Sequence, residues 1–170
     1  MKKLILFFLV FSVILFAQGS ENKLQGTAPN FELEDIEGDI YELNDFLGKG
    51  PVLVCFWATW CKPCIEELKA YNKIYEEYKD KGFTIVAIST DSERSIAKVK
   101  PFISSMNYTF QVLLDPNSDV ARQYYARAIP YSVMIDKEGN ILYSHVGYLR
   151  GDEIKVEEIV KQQLEKNKSN

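Results

Sequence analysis

From residue 27 onward, the apolar positions of the chain switch between two spacings, one alternating or continuous and one close to 3.6 residues. Short alternating runs at 31–33 and 40–43 lie either side of Gly38 and predict a hairpin, after which Asn44 stands as the cap of a short helical turn ending before Gly48. Residues 52–57, VLVCFW, are apolar without a break and predict a strand buried on both faces. Ile65, Leu68, Tyr71, Tyr75 and Tyr78 then recur at helical spacing until Gly82 stops them. Residues 83–88 form a second buried strand by the same reading. Asp91 or Ser92 is placed to cap a helix carrying Ile96, Val99, Ile103 and Met106 on one face, kinked or restarted at Pro101. A third core strand at 110–114 leads into an Asp115-Pro116 turn and a short helix at 118–125. Residues 131–135 and 141–146 flank Lys137-Glu138-Gly139-Asn140 as a second hairpin, and residues 152–166 close the chain as a helix. Strands and helices in this order predict an α/β domain on one central sheet.

The first nineteen residues do not fit that alternation. MKKLILFFLVFSVILFAQG joins two lysines to an apolar run from Leu4 to Ala17 and ends in small residues, the layout of a secretory signal cleaved after Gly19. An uncleaved membrane anchor is the alternative, although 14 helical residues span roughly 21 Å against a hydrocarbon core of about 30 Å. No cysteine lies near the end of this leader to carry a lipid. Residues 20–26 read as a polar linker, leaving 27–170 as one domain. At 46 % hydrophobic and 26 % charged, the composition is that of a globular chain. Setting Lys2 and Lys3 aside leaves 18 basic against 24 acidic residues, a balance of −6 with no basic block, which argues against nucleic acid as a partner.

All three cysteines fall within ten residues. Cys61-Lys62-Pro63-Cys64 is a spacing shared by zinc ribbons and redox sites. Zinc would need Cys55 and the single histidine, His145, as further ligands, and Cys55 lies inside the apolar strand. A redox pair needs its first thiol at the exposed N-terminus of a helix, where unpaired N–H groups and the helix dipole favour thiolate, and its second thiol one turn inside. The chain has that order: the strand ends at Trp57, a three-residue turn follows, and the helical pattern begins at Ile65. Pro63 is compatible with a helix's first turn. Cys55 reads as a small apolar core residue, His145 as a half-exposed sheet residue, and the helix tyrosines as packing.

The segment FWATWCKPC at 56–64 resembles the active site of the thioredoxin superfamily, and more narrowly of the exported TlpA/ResA-like thiol-disulfide oxidoreductases. APNFELED at 28–35, KGFTIVAISTD at 81–91, FQVLLDP at 110–116 and AIPYSVMIDKEGNI at 128–141 agree with it. The resemblance implies a thioredoxin fold, a mixed sheet flanked by helices, with an N-terminal hairpin and an inserted strand-helix element. It also implies Cys61 as attacking thiol, Cys64 as resolving thiol, and Glu67 as an acidic residue serving the pair. Trp60, Pro63 and Ile129 line the site in this reading, and Pro130 is a cis proline facing the disulfide. The pair itself is then the redox centre, with no separate cofactor and no metal. Implied partners are the disulfides or thiols of exported proteins and a membrane thiol-disulfide electron donor. Cys55 and Lys69 depart from the pattern, standing where many relatives have a polar residue and a proline.

Reduction of exported disulfides is the direction the resemblance favours, with oxidation or isomerisation as alternatives. A copper carrier using both thiolates and His145 is a third reading. Peroxide reduction and an antioxidant role form a fourth, although Ala58 stands where peroxidases of related fold have a threonine.

Overall fold

The computed structural model describes residues 26–168. The leader at 1–19 and nearly all of the linker lie outside the described residues. Among the described residues, no helix is long and apolar enough to cross a membrane.

Two short strands, β1 (Glu32–Glu34) and β2 (Ile40–Glu42), pair antiparallel as the N-terminal hairpin. Its turn is held by Asp35, whose Oδ1 accepts the N–H groups of Glu37, Gly38 and Asp39 at 2.7, 2.9 and 3.0 Å. The following turn, Leu43–Phe46, is a 3-10 helix capped by Glu42 and Asp45 rather than by Asn44. The carboxylate of Asp45 reaches back to Glu42 N–H at 2.7 Å, the reciprocal arrangement of a capping box.

Five further strands, β3 (Val52–Trp57), β4 (Thr84–Ser89), β5 (Gln111–Leu114), β6 (Tyr131–Ile135) and β7 (Ile141–Val146), form one sheet in the order β5-β4-β3-β6-β7. The β3, β4 and β5 strands run parallel, while β6 is antiparallel to β3 and β7 to β6. The fully buried central strand explains the unbroken apolar run in the sequence. Leu53, Cys55 and Trp57 face one core, and Val52, Val54 and Phe56 face the other. Helices α1 (Lys62–Tyr78) and α4 (Asp152–Lys168) cover the first face through Leu68, Tyr71, Val156 and Val160. Helix α3 (Asp119–Gln123) and the N-terminal hairpin segment cover the second through Val120, Tyr124 and Phe31.

One more element differs from the sequence expectation. The helix expected after Asp91 is a 3-10 turn at Ile96–Lys98 followed by α2 (Val99–Met106), with Pro101 in the first turn, where its missing N–H costs nothing. Helix α3 is capped from outside by Asp115, whose two oxygens accept Asp119 N–H and Ala121 N–H at 2.8 Å each.

Just before β3 two backbones come close together. A Cβ on Gly50 would lie 2.5 Å from the Gly82 carbonyl oxygen, and Gly82 itself has φ +106° where the chain leaves α1. Gly50→Ala is therefore expected to destabilise the fold by about 1–3 kcal/mol, since neither contact atom belongs to a side chain that can swing away. A fall in the urea midpoint at unchanged slope checks this, and an unchanged midpoint would show that the contact yields freely.

Candidate active site

The last residue of β3, Trp57, hands the chain to a tight turn that sets the position of Cys61. That turn is pinned by Asp91, which is fully buried rather than capping a helix. Its Oδ2 accepts Thr59 N–H at 2.7 Å and the Ser89 hydroxyl at 3.0 Å, while Oδ1 accepts the Thr59 hydroxyl at 2.7 Å. Removing this carboxylate would leave the buried Ser89 hydroxyl and two part-buried Thr59 donors unpaired one turn from the cysteines.

Cys61 is the N-cap of α1 and Cys64 stands inside its first turn, with Pro63 between them. The two sulfurs are bonded at 2.02 Å. Cys64 N–H also points at Cys61 Sγ, 3.3 Å away. When the disulfide opens, this N–H and the positive end of the helix dipole face the Cys61 sulfur and favour its thiolate. The disulfide is less open to solvent than the sequence implied: Cys61 is only 5 % exposed and Cys64 is buried. Trp60, immediately before them, is 67 % exposed and stands beside the pair as an apolar contact surface.

Three residues beyond Cys64, Glu67 points inward. It is fully buried, and its Oε1 accepts the Ser132 hydroxyl at 3.1 Å. Its Oε2 has no partner, nor does the buried hydroxyl of Tyr71 one turn further along the helix. Burial, reinforced by the nearby Asp152, pushes the Glu67 carboxyl up to about 8 against the opposing pull of the Ser132 hydroxyl bond and the neighbouring Tyr71 hydroxyl. Cys55 lies under this carboxyl, on the strand position paired with Ser132. Its thiol is raised well above the ordinary range, first by burial and then by the Glu67 charge. Cys55 therefore stays protonated, as expected of a core residue.

A groove of about 420 Å³ opens beside the disulfide. Pro63, Ile129, Pro130, His145, Leu149 and Asp152 are among its lining residues. The Ile129–Pro130 peptide is cis, and the Pro130 carbonyl accepts Gly147 N–H at 2.8 Å, tying this part of the lining to the end of β7. Val146 and Leu149, 57 % and 77 % exposed, extend the apolar lining outward. The structure thus gathers Cys61, Cys64, Pro63, Ile129 and Pro130 at one end of the sheet, with Trp60 flanking them and Glu67 beneath. Ser132 and Asp91 escaped the sequence reading: one is a single polar residue in an apolar strand, the other resembles a helix cap. Among the described residues, no group of three or more His, Cys, Asp or Glu side chains is placed to hold a metal ion.

The AhpC/TSA family pattern matches residues 24–144. The chain belongs to that family. Among curated relatives, thiol-disulfide oxidoreductase ResA of Bacillus cereus is 39 % identical over 127 residues, 75 % of this chain and 72 % of the relative. ResA of Geobacillus thermodenitrificans is 32 % identical over 140 residues, 82 % of this chain and 79 % of the relative. Among solved structures, a thiol:disulfide interchange protein from a Bacteroides species superposes with a TM-score of 0.68 at 34 % identity, covering 82 % of this chain and 91 % of that one. A DsbE-type interchange protein of Chlorobium tepidum gives 0.76 at 31 % identity, with 84 % and 99 % covered. Together with the bonded pair at the start of α1, these relatives make the chain a thioredoxin-like thiol-disulfide oxidoreductase.

Proposed function

We propose that the protein reduces disulfides of exported proteins, with Cys61 attacking and Cys64 resolving. The observation that carries this reading is the bonded pair on the first turn of α1, with Cys64 N–H on Cys61 Sγ and an apolar groove beside it. In the reduced enzyme, Cys61 thiolate attacks a client disulfide and forms a mixed disulfide, expelling one client thiolate. Cys64 then gives its proton to Glu67 and attacks Cys61 sulfur, which restores the bond seen here and frees the second client sulfur. Glu67 suits that task because burial raises its carboxyl to about 8, far above an ordinary carboxylate and toward the thiol range, which makes it a stronger proton acceptor.

Trp60, Pro63, Ile129 and Pro130 are the residues proposed to hold the client segment against the pair. The leader at 1–19 supports delivery outside the cytoplasm, where a membrane thiol-disulfide donor would return electrons to Cys61 and Cys64. The redox pair is the only centre this reaction requires. Peroxide chemistry gains no support from the site, because buried Ala58 brings no hydroxyl to it.

Cys64→Ser tests the assignment in cells. Removing the resolving sulfur leaves the first step intact, so mixed disulfides through Cys61 should accumulate and appear as reducible adducts on a non-reducing gel. The Cys61→Ser/Cys64→Ser double variant should show none. Adducts no more abundant than in that control, where the wild-type pair is shown to cycle, would overturn the reading. Loss of tight copper binding without covalent adducts would identify a metal carrier instead.

A further inference from the structure

The resolving step proposed above leaves its proton on a carboxyl that solvent does not touch. Glu67 is fully buried, so the proton it accepts has to travel on through the protein before the next turnover.

The sheet beneath Glu67 supplies a polar row. Cys55 on β3 is paired with Ser132 on β6, and Ser132 with His145 on β7. Side chains at directly paired positions share one face of the sheet, with Cβ atoms about 4.5–5.5 Å apart. Because Ser132 reaches Glu67 from that face, His145 lies on it too, one strand nearer the edge. Asp152 at the start of α4 closes the row. Its Oδ2 lies 3.2 Å from His145 Nε2 and also accepts Leu149 N–H at 2.7 Å, which fixes the carboxylate toward the ring. The ring is stacked on Tyr143, with centroids 6.1 Å apart and planes 10° from parallel.

Burial changes along this row in the direction a proton exit requires. Ser132 is fully buried, whereas the side chains of His145 and Asp152 are 34 % and 30 % exposed. Both line the groove with Pro63, Ile129 and Pro130. Asp152 is also within electrostatic reach of Glu67. The other titratable groups facing Glu67 are Cys55 from β3, Tyr71 from its own helix, Tyr143 from β7 and Tyr148 from the loop before α4. None of these is suited to passing a proton near neutral pH, since a tyrosine or buried thiol holds its proton more tightly than the carboxyl does. An imidazole has two ring nitrogens, so one can take up a proton while the other gives one away.

We propose that the His145–Asp152 pair is the proton exit of this active site, delivering a proton to the client thiolate that departs through the groove. The proposal rests on the oxidoreductase reading above. In the step it describes, the Cys64 S–H bond breaks as the Glu67 O–H bond forms. Cys64 sulfur then bonds to Cys61 sulfur, and the Cys61–client S–S bond breaks with its electron pair on the client. The two active-site thiols are oxidised by two electrons and the client disulfide is reduced. The His145–Asp152 pair passes a proton to the leaving client sulfur, and the proton on Glu67 crosses to the pair to replace it. Ser132 is the positioning residue that keeps the Glu67 carboxyl over this row.

Two clients with different leaving sulfurs test the role. In single turnover, the full-length protein is loaded at Cys61 with glutathione, whose basic alkyl thiolate gains from a proton donor as it leaves, or with 2-nitro-5-thiobenzoate, which leaves as a stable thiolate. His145→Gln should slow glutathione release at least about tenfold and leave thiobenzoate release unchanged. Added imidazole should restore the first rate. A merely structural role would slow both clients alike and gain nothing from imidazole. Unchanged glutathione release, or equal slowing of both clients, would overturn the proposal. A wild-type protein that releases neither client would instead count against the oxidoreductase reading itself, so the two failures are distinguishable.

Discussion

Cys61→Ser is expected to reduce disulfide reductase activity at least about a hundredfold, to the uncatalysed background, while Cys55→Ser retains activity within about threefold of wild type. The difference follows from where each sulfur sits. Cys61 is at the N-terminal cap of α1, with an N–H on its sulfur and the groove beside it. Cys55 is fully buried on the central strand, and both burial and the Glu67 charge hold its thiol protonated. A serine hydroxyl at position 55 would also find polar neighbours in Ser132 and Glu67, so the substitution should not leave an unpaired donor in an apolar core. An insulin-reduction assay of both variants checks this. Equal loss in both would mean that the third thiol joins the exchange, and the assignment of Cys55 to the core would fall.

The same residues show why part of the architecture was legible in the sequence and part was not. The central strand was readable to the residue, because burial on both faces leaves VLVCFW with no polar position to blur its ends. The site's location followed from local order: an apolar strand, a short turn, then C-x-x-C opening a helical pattern. Helix α1 nevertheless begins at Lys62, one turn before the apolar period becomes visible, since its first turn carries the motif itself. Asp91 was misread for a reason that no local pattern can remove. An acid ahead of a helical run looks like a cap, and what claims this one is Thr59, 32 residues earlier in the chain. Ser132 was hidden in the same way, because a lone hydroxyl in an apolar strand acquires meaning only when Glu67, 65 residues away, is laid over it. His145 was correctly placed as half-exposed, but its pairing with Asp152 depends on how the loop before α4 turns back. Local chemistry was therefore visible in the sequence, whereas the polar contacts that support it are set by tertiary packing.

Glu67→Gln should separate the chemistry of that carboxyl from its cost to the fold. In the wild type, the carboxylate form is the proton acceptor, so the rate of the resolving step should rise with pH and level off above about 8. Glutamine accepts no proton, and the variant should lose that inflection and resolve mixed disulfides at least about tenfold more slowly near pH 8. Stability should move the other way. The folded-state value of about 8 lies above the ordinary 4.5, so the native protein binds more protons than the unfolded chain between these two values. Wild-type stability is accordingly lost as pH rises through that window, with the whole penalty present above about 8 and none below 4.5. A shift of this size corresponds to a few kcal/mol, on the order of 5, at about 1.4 kcal/mol per unit. Glutamine keeps the shape and can still meet the Ser132 hydroxyl through its carbonyl oxygen, yet it never has to carry a buried charge. Denaturant midpoints of both proteins across pH 5 to 9 should therefore diverge, with the variant gaining on the wild type as pH rises. Parallel midpoints combined with an unchanged pH-rate profile would show that Glu67 neither titrates in this window nor takes the Cys64 proton.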